Sequence, residues 1–152
     1  MATVTSAIQS AGISWPRTLG IGLIAAIIPS LFMVPMFNLG LSPMPAPPSL
    51  KFAEMVFGTS LPMPVGLLFH LAYVIAWTLV YAIFLNPGSL KSALALAGVL
   101  WLGVLLVFFP LFGWGIAGMA ISMKLIPASF VPHLLFGLAL WGGSRLLAPL
   151  RN

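Results

Sequence analysis

Four stretches of about 20 residues run through this chain with almost no charged side chain inside them, and that pattern decides its solvent. They cover approximately residues 18–39, 64–85, 92–112 and 129–147. A bilayer core is crossed by roughly 20 apolar residues in helical conformation. Of the 152 residues, 61% are hydrophobic and only 5% charged, against about 25% charged in soluble domains. With so few charges to cover a surface in water, the sequence predicts an all-α integral membrane protein, a single domain over 1–152 built as a four-transmembrane-helix bundle. The runs are continuously apolar, without the alternation of a barrel strand. The run after Arg17 exceeds a signal-peptide core in length and reads as a retained span.

Between the first two runs lies the longest polar-tolerant segment, residues 40–63. Repeated prolines from Pro43 to Pro48 favour an extended path. Ser49 then stands where it would cap a short helix that Gly58 closes. Leu50, Ala53, Val56 and Phe57 would share one face of it, as expected for an interfacial helix on the outer surface. Residues 113–128 are apolar enough to rest at the same interface. Asn86-Pro87-Gly88-Ser89 marks a tight turn between the second and third runs. Ser129 is placed to cap the fourth helix, with Pro132 in its first turn and Pro149 beyond its end. Pro29 is a candidate kink in the first.

Sidedness follows from the basic residues. Arg17, Lys91, Arg145 and Arg151 fall on one side, Lys51 and Lys124 on the other. The excess places both termini in the cytoplasm, and the expected location is the bacterial cell inner membrane. The net charge of +5 is scattered singly, so it offers contact with anionic headgroups but no nucleic-acid footprint.

Phe32-Met33-Val34-Pro35-Met36-Phe37 resembles Val107-Phe108-Phe109-Pro110-Leu111-Phe112, and a histidine follows early in the next helix each time. The sequence therefore suggests two repeated helical hairpins related by a pseudo-twofold axis. Small residues recur at four-residue spacing as Gly22, Ala26 and Ser30, as Ala72 and Ala76, as Ala93 and Ala97, and as Ala139 and Gly143. Such rows let helix backbones approach where lipid supplies no hydrophobic drive.

The expected spans hold no Asp, Glu or Lys, and one Arg at the inner end of the fourth. That argues against proton or cation transport, paired-carboxylate catalysis and a Ser-His-Asp constellation. Nothing in the chain argues for an enzyme. What remains is His70 and His133, each a few residues into an outside-to-inside helix. At 1.5 Å per residue both imidazoles fall roughly 6 to 9 Å below the outer boundary. Tyr73, Trp77 and Tyr81 follow His70 at helical spacing; Phe136, Leu140 and Ser144 follow His133, with Trp141 adjacent.

Two matched imidazoles are the minimum for a shared b-type haem, whose iron takes neutral imidazole ligands. The aromatic stripe also suits a quinone. The candidate site is therefore His70, His133, Tyr73 and Trp77, with the histidines as haem-iron ligands in the haem version. A softer-metal variant adds Met36, Met44, Met55 and Met63 to His70 for Cu(I). The plain alternative gives each histidine a hydrogen bond to a neighbouring helix. Trp77 and Trp101 fall near mid-membrane and need indole N–H acceptors; Trp15 and Trp114 suit boundary positions.

Three functions are expected in descending order. The first is a non-catalytic accessory or structural subunit of a larger inner-membrane complex, a respiratory one being the example, in contact with other membrane subunits or with copies of itself. The second is a haem- or quinone-binding electron-transfer subunit, and the third a small channel or transporter.

Overall fold

The computed structural model describes residues 14–147. It contains five helices and, among the described residues, no strand. The first, α1 (Trp15–Asn38), is followed by the short α2 (Pro48–Phe57) and then by α3 (Met63–Phe84). A turn leads to α4, which runs Leu90–Leu111 and widens into a π turn at Val104–Phe108. A loop with a 3-10 turn at Ile116–Gly118 precedes α5 (Leu125–Leu146). Helices α1, α3, α4 and α5 are each long and apolar enough to cross a membrane. Pro149 and Arg151 lie outside the described residues.

The local chemistry explains most boundaries. Pro16, Pro48 and Pro64 occupy the first turns of their helices, where a missing N–H costs nothing. Ser89 caps α4 by accepting a hydrogen bond from the Ser92 amide at 3.3 Å. Gly58 ends α2 at φ +66°, in the left-handed region that glycine enters freely. The π turn in α4 precedes Pro110, which withholds the N–H that the Leu106 carbonyl would otherwise accept; a widened turn absorbs that mismatch. α1 continues as one helix through both Pro29 and Pro35.

Two boundaries differ from the sequence reading. α5 begins at Leu125, so Ser129 is not its cap and Pro132 lies in its second turn. Pro127 is the first-turn proline instead, and Ser122 Oγ accepts from the Lys124 amide just before the helix. Ser129, freed from capping, is buried. It accepts the Trp101 indole N–H at 3.1 Å and donates to the Ile126 carbonyl at 3.0 Å. Similarly α2 starts at Pro48, with Ser49 inside its first turn.

The chain runs up and down. Arg17 Nη2 donates to the Ser144 carbonyl at 2.9 Å, and Arg145 Nε to the Gly88 carbonyl at 3.3 Å. The start of α1, the α3–α4 turn and the end of α5 therefore share one end, called here the terminal end; the two long loops share the other. In cross-section α5 packs between α1 and α4, and α3 packs on the far side of α1. Small residues make these approaches: a methyl group on Gly137 would sit 3.0 Å from the Ala97 Cβ, and one on Gly22 3.3 Å from Ile75. Ala93, Ala97, Ala139 and Gly143 are buried as their spacing implied, whereas Ala72 and Ala76 are exposed. α3 uses Gly66, Val74, Thr78 and Tyr81 instead.

A twofold relation between hairpins would make α3–α4 packing as extensive as α1–α5 packing. It is not: α1 and α5 form the largest contact, while α3 and α4 diverge from their shared turn. The symmetry suggested by the repeated Pro and His positions is thus broken in the packing, and the gap is where it breaks. α2 plugs the loop end of that gap. Leu50 and Ala53 are buried, and Leu50 rests directly on Gly66 of α3. Val56 and Phe57, expected on the same face, are 59% and 60% exposed. α2 therefore packs on the bundle through half of the anticipated face.

The 112–124 loop also folds inward. Trp114, assigned a boundary position from the sequence, is buried against Phe109 and Phe112 with ring centroids 5.3 and 5.2 Å away. Ser129→Ala is expected to strand the Trp101 N–H and destabilise the fold by about 1–3 kcal/mol. Thermal unfolding followed by tryptophan fluorescence checks this.

Candidate functional site

Where α3 and α4 diverge, a partly open cavity of about 430 Å³ remains, walled by all five helices. α1 contributes Pro29, Ser30 and Met33, and α2 contributes Ser49 and Phe52. Gly66, His70 and Tyr73 come from α3, Val104 and Phe108 from the π turn of α4, and Pro132, His133 and Phe136 from α5. Its size falls within the roughly 300–1,000 Å³ of small-molecule sites. Ala72 is both exposed and part of the lining, so it stands at the mouth.

His70 is the eighth residue of α3 and His133 the ninth of α5, about 10–12 Å along each helix from its loop-end start. The absolute depth exceeds the sequence estimate because α5 starts earlier, but the match survives. Both imidazoles line the same cavity.

Their hydrogen bonding differs. His133 Nδ1 lies 2.7 Å from the Ser129 carbonyl, one turn back on its own helix. A carbonyl only accepts, so neutral His133 carries its proton on Nδ1 and presents a bare Nε2 lone pair. His70 comes close to the Ala26 carbonyl of α1, which already accepts the Ser30 hydroxyl at 2.8 Å. Its Nε2 is buried with no protein partner. Such an orphan costs about 1–3 kcal/mol.

Of the other sequence candidates, Tyr73 lines the cavity and Trp77 does not. Trp77 sits one turn deeper and meets the Tyr73 ring edge-on at 6.1 Å. Tyr81 is at the terminal end, where its hydroxyl accepts from the Gly88 amide at 3.1 Å. Leu140 and Ser144 are buried away from the cavity, while Phe136 lines it. Met44 and Met63 line it as well, joined by Met33, whereas Met36 and Met55 do not. Among the described residues no group of three His, Asp or Glu side chains gathers to hold a metal ion.

The aromatic wall was not among the sequence expectations. Phe52 of α2 contacts Phe69 of α3 at 6.2 Å and Phe108 of α4 at 5.8 Å, and Tyr73 meets Phe108 at 6.4 Å, all edge-on. These rings bridge the α3–α4 gap in the geometry aromatic pairs prefer. The one sequence signal was Gly66, a helical glycine whose bare backbone lets α2 approach.

Below the cavity the bundle closes. Ile21, Ala25, Val74, Leu96, Phe136 and Leu140 form a continuous apolar cluster toward the terminal end.

Haem and quinone place different demands on this lining. A haem's propionates need cationic or strongly polar company, and neither Lys nor Arg lines the cavity. The nearer cation in sequence, Lys51, is paired with Glu54 at 3.3 Å. The imidazoles alone suit axial ligation, but the lining does not fit the rest of the group. A neutral flat ring with carbonyl or hydroxyl groups meets no such conflict. No family model, curated protein or solved structure matches the chain.

Proposed function

We propose that this chain is a multi-pass protein of the bacterial inner membrane that binds a neutral, lipid-soluble ligand of the quinone class. In this reading it serves as a non-catalytic subunit of a larger membrane assembly. The supporting observation is the convergence of His70 and His133 in one apolar cavity with complementary valences. The His70 imidazole, which lines the cavity and has one nitrogen buried without a partner, donates to a ring carbonyl; His133 Nε2, bare by virtue of its Ser129 bond, accepts from a ring hydroxyl. Tyr73 adds a phenol that does either. The surrounding Pro, Met and Phe side chains supply apolar contact and exclude water.

The membrane setting is supported by the four apolar helices. Sidedness is supported by charge: Arg17, Lys91 and Arg145 lie at the terminal end, against Lys51 and Lys124 at the loop end. This favours a cytoplasmic terminal end.

Titrating a short-chain ubiquinone or menaquinone analogue into detergent-solubilised protein, with quenching of tryptophan emission as readout, tests the ligand. Saturable quenching is expected, together with a quinone in the organic extract of the purified protein. Absence of saturable quenching by both analogues would remove the proposal. The visible spectrum separates the haem version, since a Soret band lost in both His70→Ala and His133→Ala would require haem instead. We expect none. Subunit status has its own readout: blue-native electrophoresis in mild detergent should show a band well above one chain with its micelle, and a lone monomer would contradict it.

A further inference from the structure

The end of the bundle opposite the cavity carries three cations and, among the described residues, no acidic side chain. Arg17 is anchored on the Ser144 carbonyl, Arg145 on the Gly88 carbonyl, and Lys91, three residues after Gly88, is the second residue of α4. Arg145 also lies over the Trp141 ring at 5.5 Å. Arg17 Nε and Ser144 Oγ are both buried without a partner. The chain has one acidic side chain in all, Glu54, and it is at the other end, bound to Lys51. No side chain of this protein is available to neutralise these three.

Beside them runs a shallow groove along the start of α4, walled by Leu85, Ala95, Leu96 and Val99, with Lys91, Ser89 and Ser92 at its terminal-end rim. Val99 is 62% exposed and apolar. The groove is thus cationic and hydroxyl-bearing at the membrane boundary and hydrocarbon-like below it. That gradient has the polarity of a phospholipid.

We propose that this end of the bundle is a binding site for an anionic phospholipid. The phosphate lies between Lys91 and Arg145, with the Ser89 and Ser92 hydroxyls at the rim as neutral donors. One acyl chain follows the α4 groove past Ala95 to Val99. Arg17, tied to the residue next to Arg145, adds to the local positive potential. Backbone anchoring of both arginines matters here, because a cation already held at a carbonyl loses little side-chain freedom on binding a headgroup. The site is independent of whatever occupies the histidine cavity and requires only that the bundle sits in a bilayer.

The test uses the full chain in nanodiscs holding equal amounts of phosphatidylglycerol and phosphatidylcholine. Lipids retained after gentle release are counted by native mass spectrometry. Phosphatidylglycerol is expected to be enriched among the retained adducts. Lys91→Gln and Arg145→Gln should each lower that enrichment roughly fivefold, the equivalent of about 1 kcal/mol per cation near the surface. Lys124→Gln removes the same charge at the opposite end and should leave it unchanged. Val99→Trp fills the groove while keeping every charge and should also lower retention. All four positions are exposed, so the variants are expected to fold. Equal loss in Lys124→Gln would mean only bulk charge attraction and would overturn the site. An unaffected Val99→Trp would overturn the acyl groove.

Discussion

Gly118→Ala lowers the melting temperature of the purified protein by on the order of 10 °C, because the added methyl group meets both a backbone and a packing cost. Gly118 has φ +76°, where an L-residue costs roughly 1–2 kcal/mol. Its new Cβ would also stand 2.7 and 2.8 Å from Leu125 side-chain atoms and 3.2 Å from the Phe109 ring. Leu125 and Phe109 are both fully buried, so neither can swing aside, and overpacking of that kind costs about 1–3 kcal/mol more. Together these give roughly 2–5 kcal/mol, and chains of this size lose about 2–4 °C per kcal/mol.

Gly58→Ala is the matched control: φ is +66° but nothing stands within 4 Å of the added methyl. It should show the backbone cost alone, about 1–2 kcal/mol. Equal melting temperatures for the two variants would show that Leu125 and Phe109 repack, and that the loop does not lock the loop end of α4 against α5.

The element pattern was legible in the sequence because long, uncharged apolar runs leave few options. Uncharged runs of the right length must be helices, and their ends fell where turn residues stood. Single boundaries failed for a local reason. Ser129 and Pro132 look like a capped start, but Pro127 makes an equally good first turn four residues earlier, and apolar flanks on both sides gave hydropathy nothing to choose between. Trp114 and Trp101 show a second limit. An indole in an apolar segment is read from its depth, yet its neighbours decide whether it faces lipid or protein, and here Trp114 is buried by Phe109 and Phe112.

The site was legible in part. Matched offsets of His70 and His133 from their helix starts implied equal depth, and depth is a one-dimensional property that sequence carries. Which helices stand next to each other is not. The divergence of α3 from α4 depends on α5 choosing α1 as its main partner through Gly143 against Ile21, and on α2 leaning upon Gly66. Those are pairings between distant segments, and no periodicity announces them. Trp77 shows the cost: it shares the helical face of His70 but lies beyond the floor that Val74 and Phe136 create. The repeat misled in the same way, since equivalent motifs occupy inequivalent interfaces.

His70→Leu should move stability and binding in opposite directions, which a structural histidine would not do. In the ligand-free protein Nε2 is buried and unpartnered, so replacing the ring by an apolar side chain removes a penalty of about 1–3 kcal/mol. Leucine leaves a small volume deficit, which lies against an existing cavity and creates little new void. The ligand-free melting temperature should therefore stay level or rise. Affinity for the quinone analogue should fall about tenfold, the loss of one hydrogen bond worth about 1.4 kcal/mol. His133→Leu should weaken binding similarly but without the stability gain, because its Nδ1 bond to Ser129 is lost. The double variant then tests whether one molecule bridges both rings. A ligand held at two ends by a rigid ring loses its orientation when either end is freed, so the second substitution should cost less than the first. Strict additivity would indicate two independent contacts. A lower melting temperature for His70→Leu with unchanged affinity would return that residue to a packing role against Ala26 and take the quinone assignment with it.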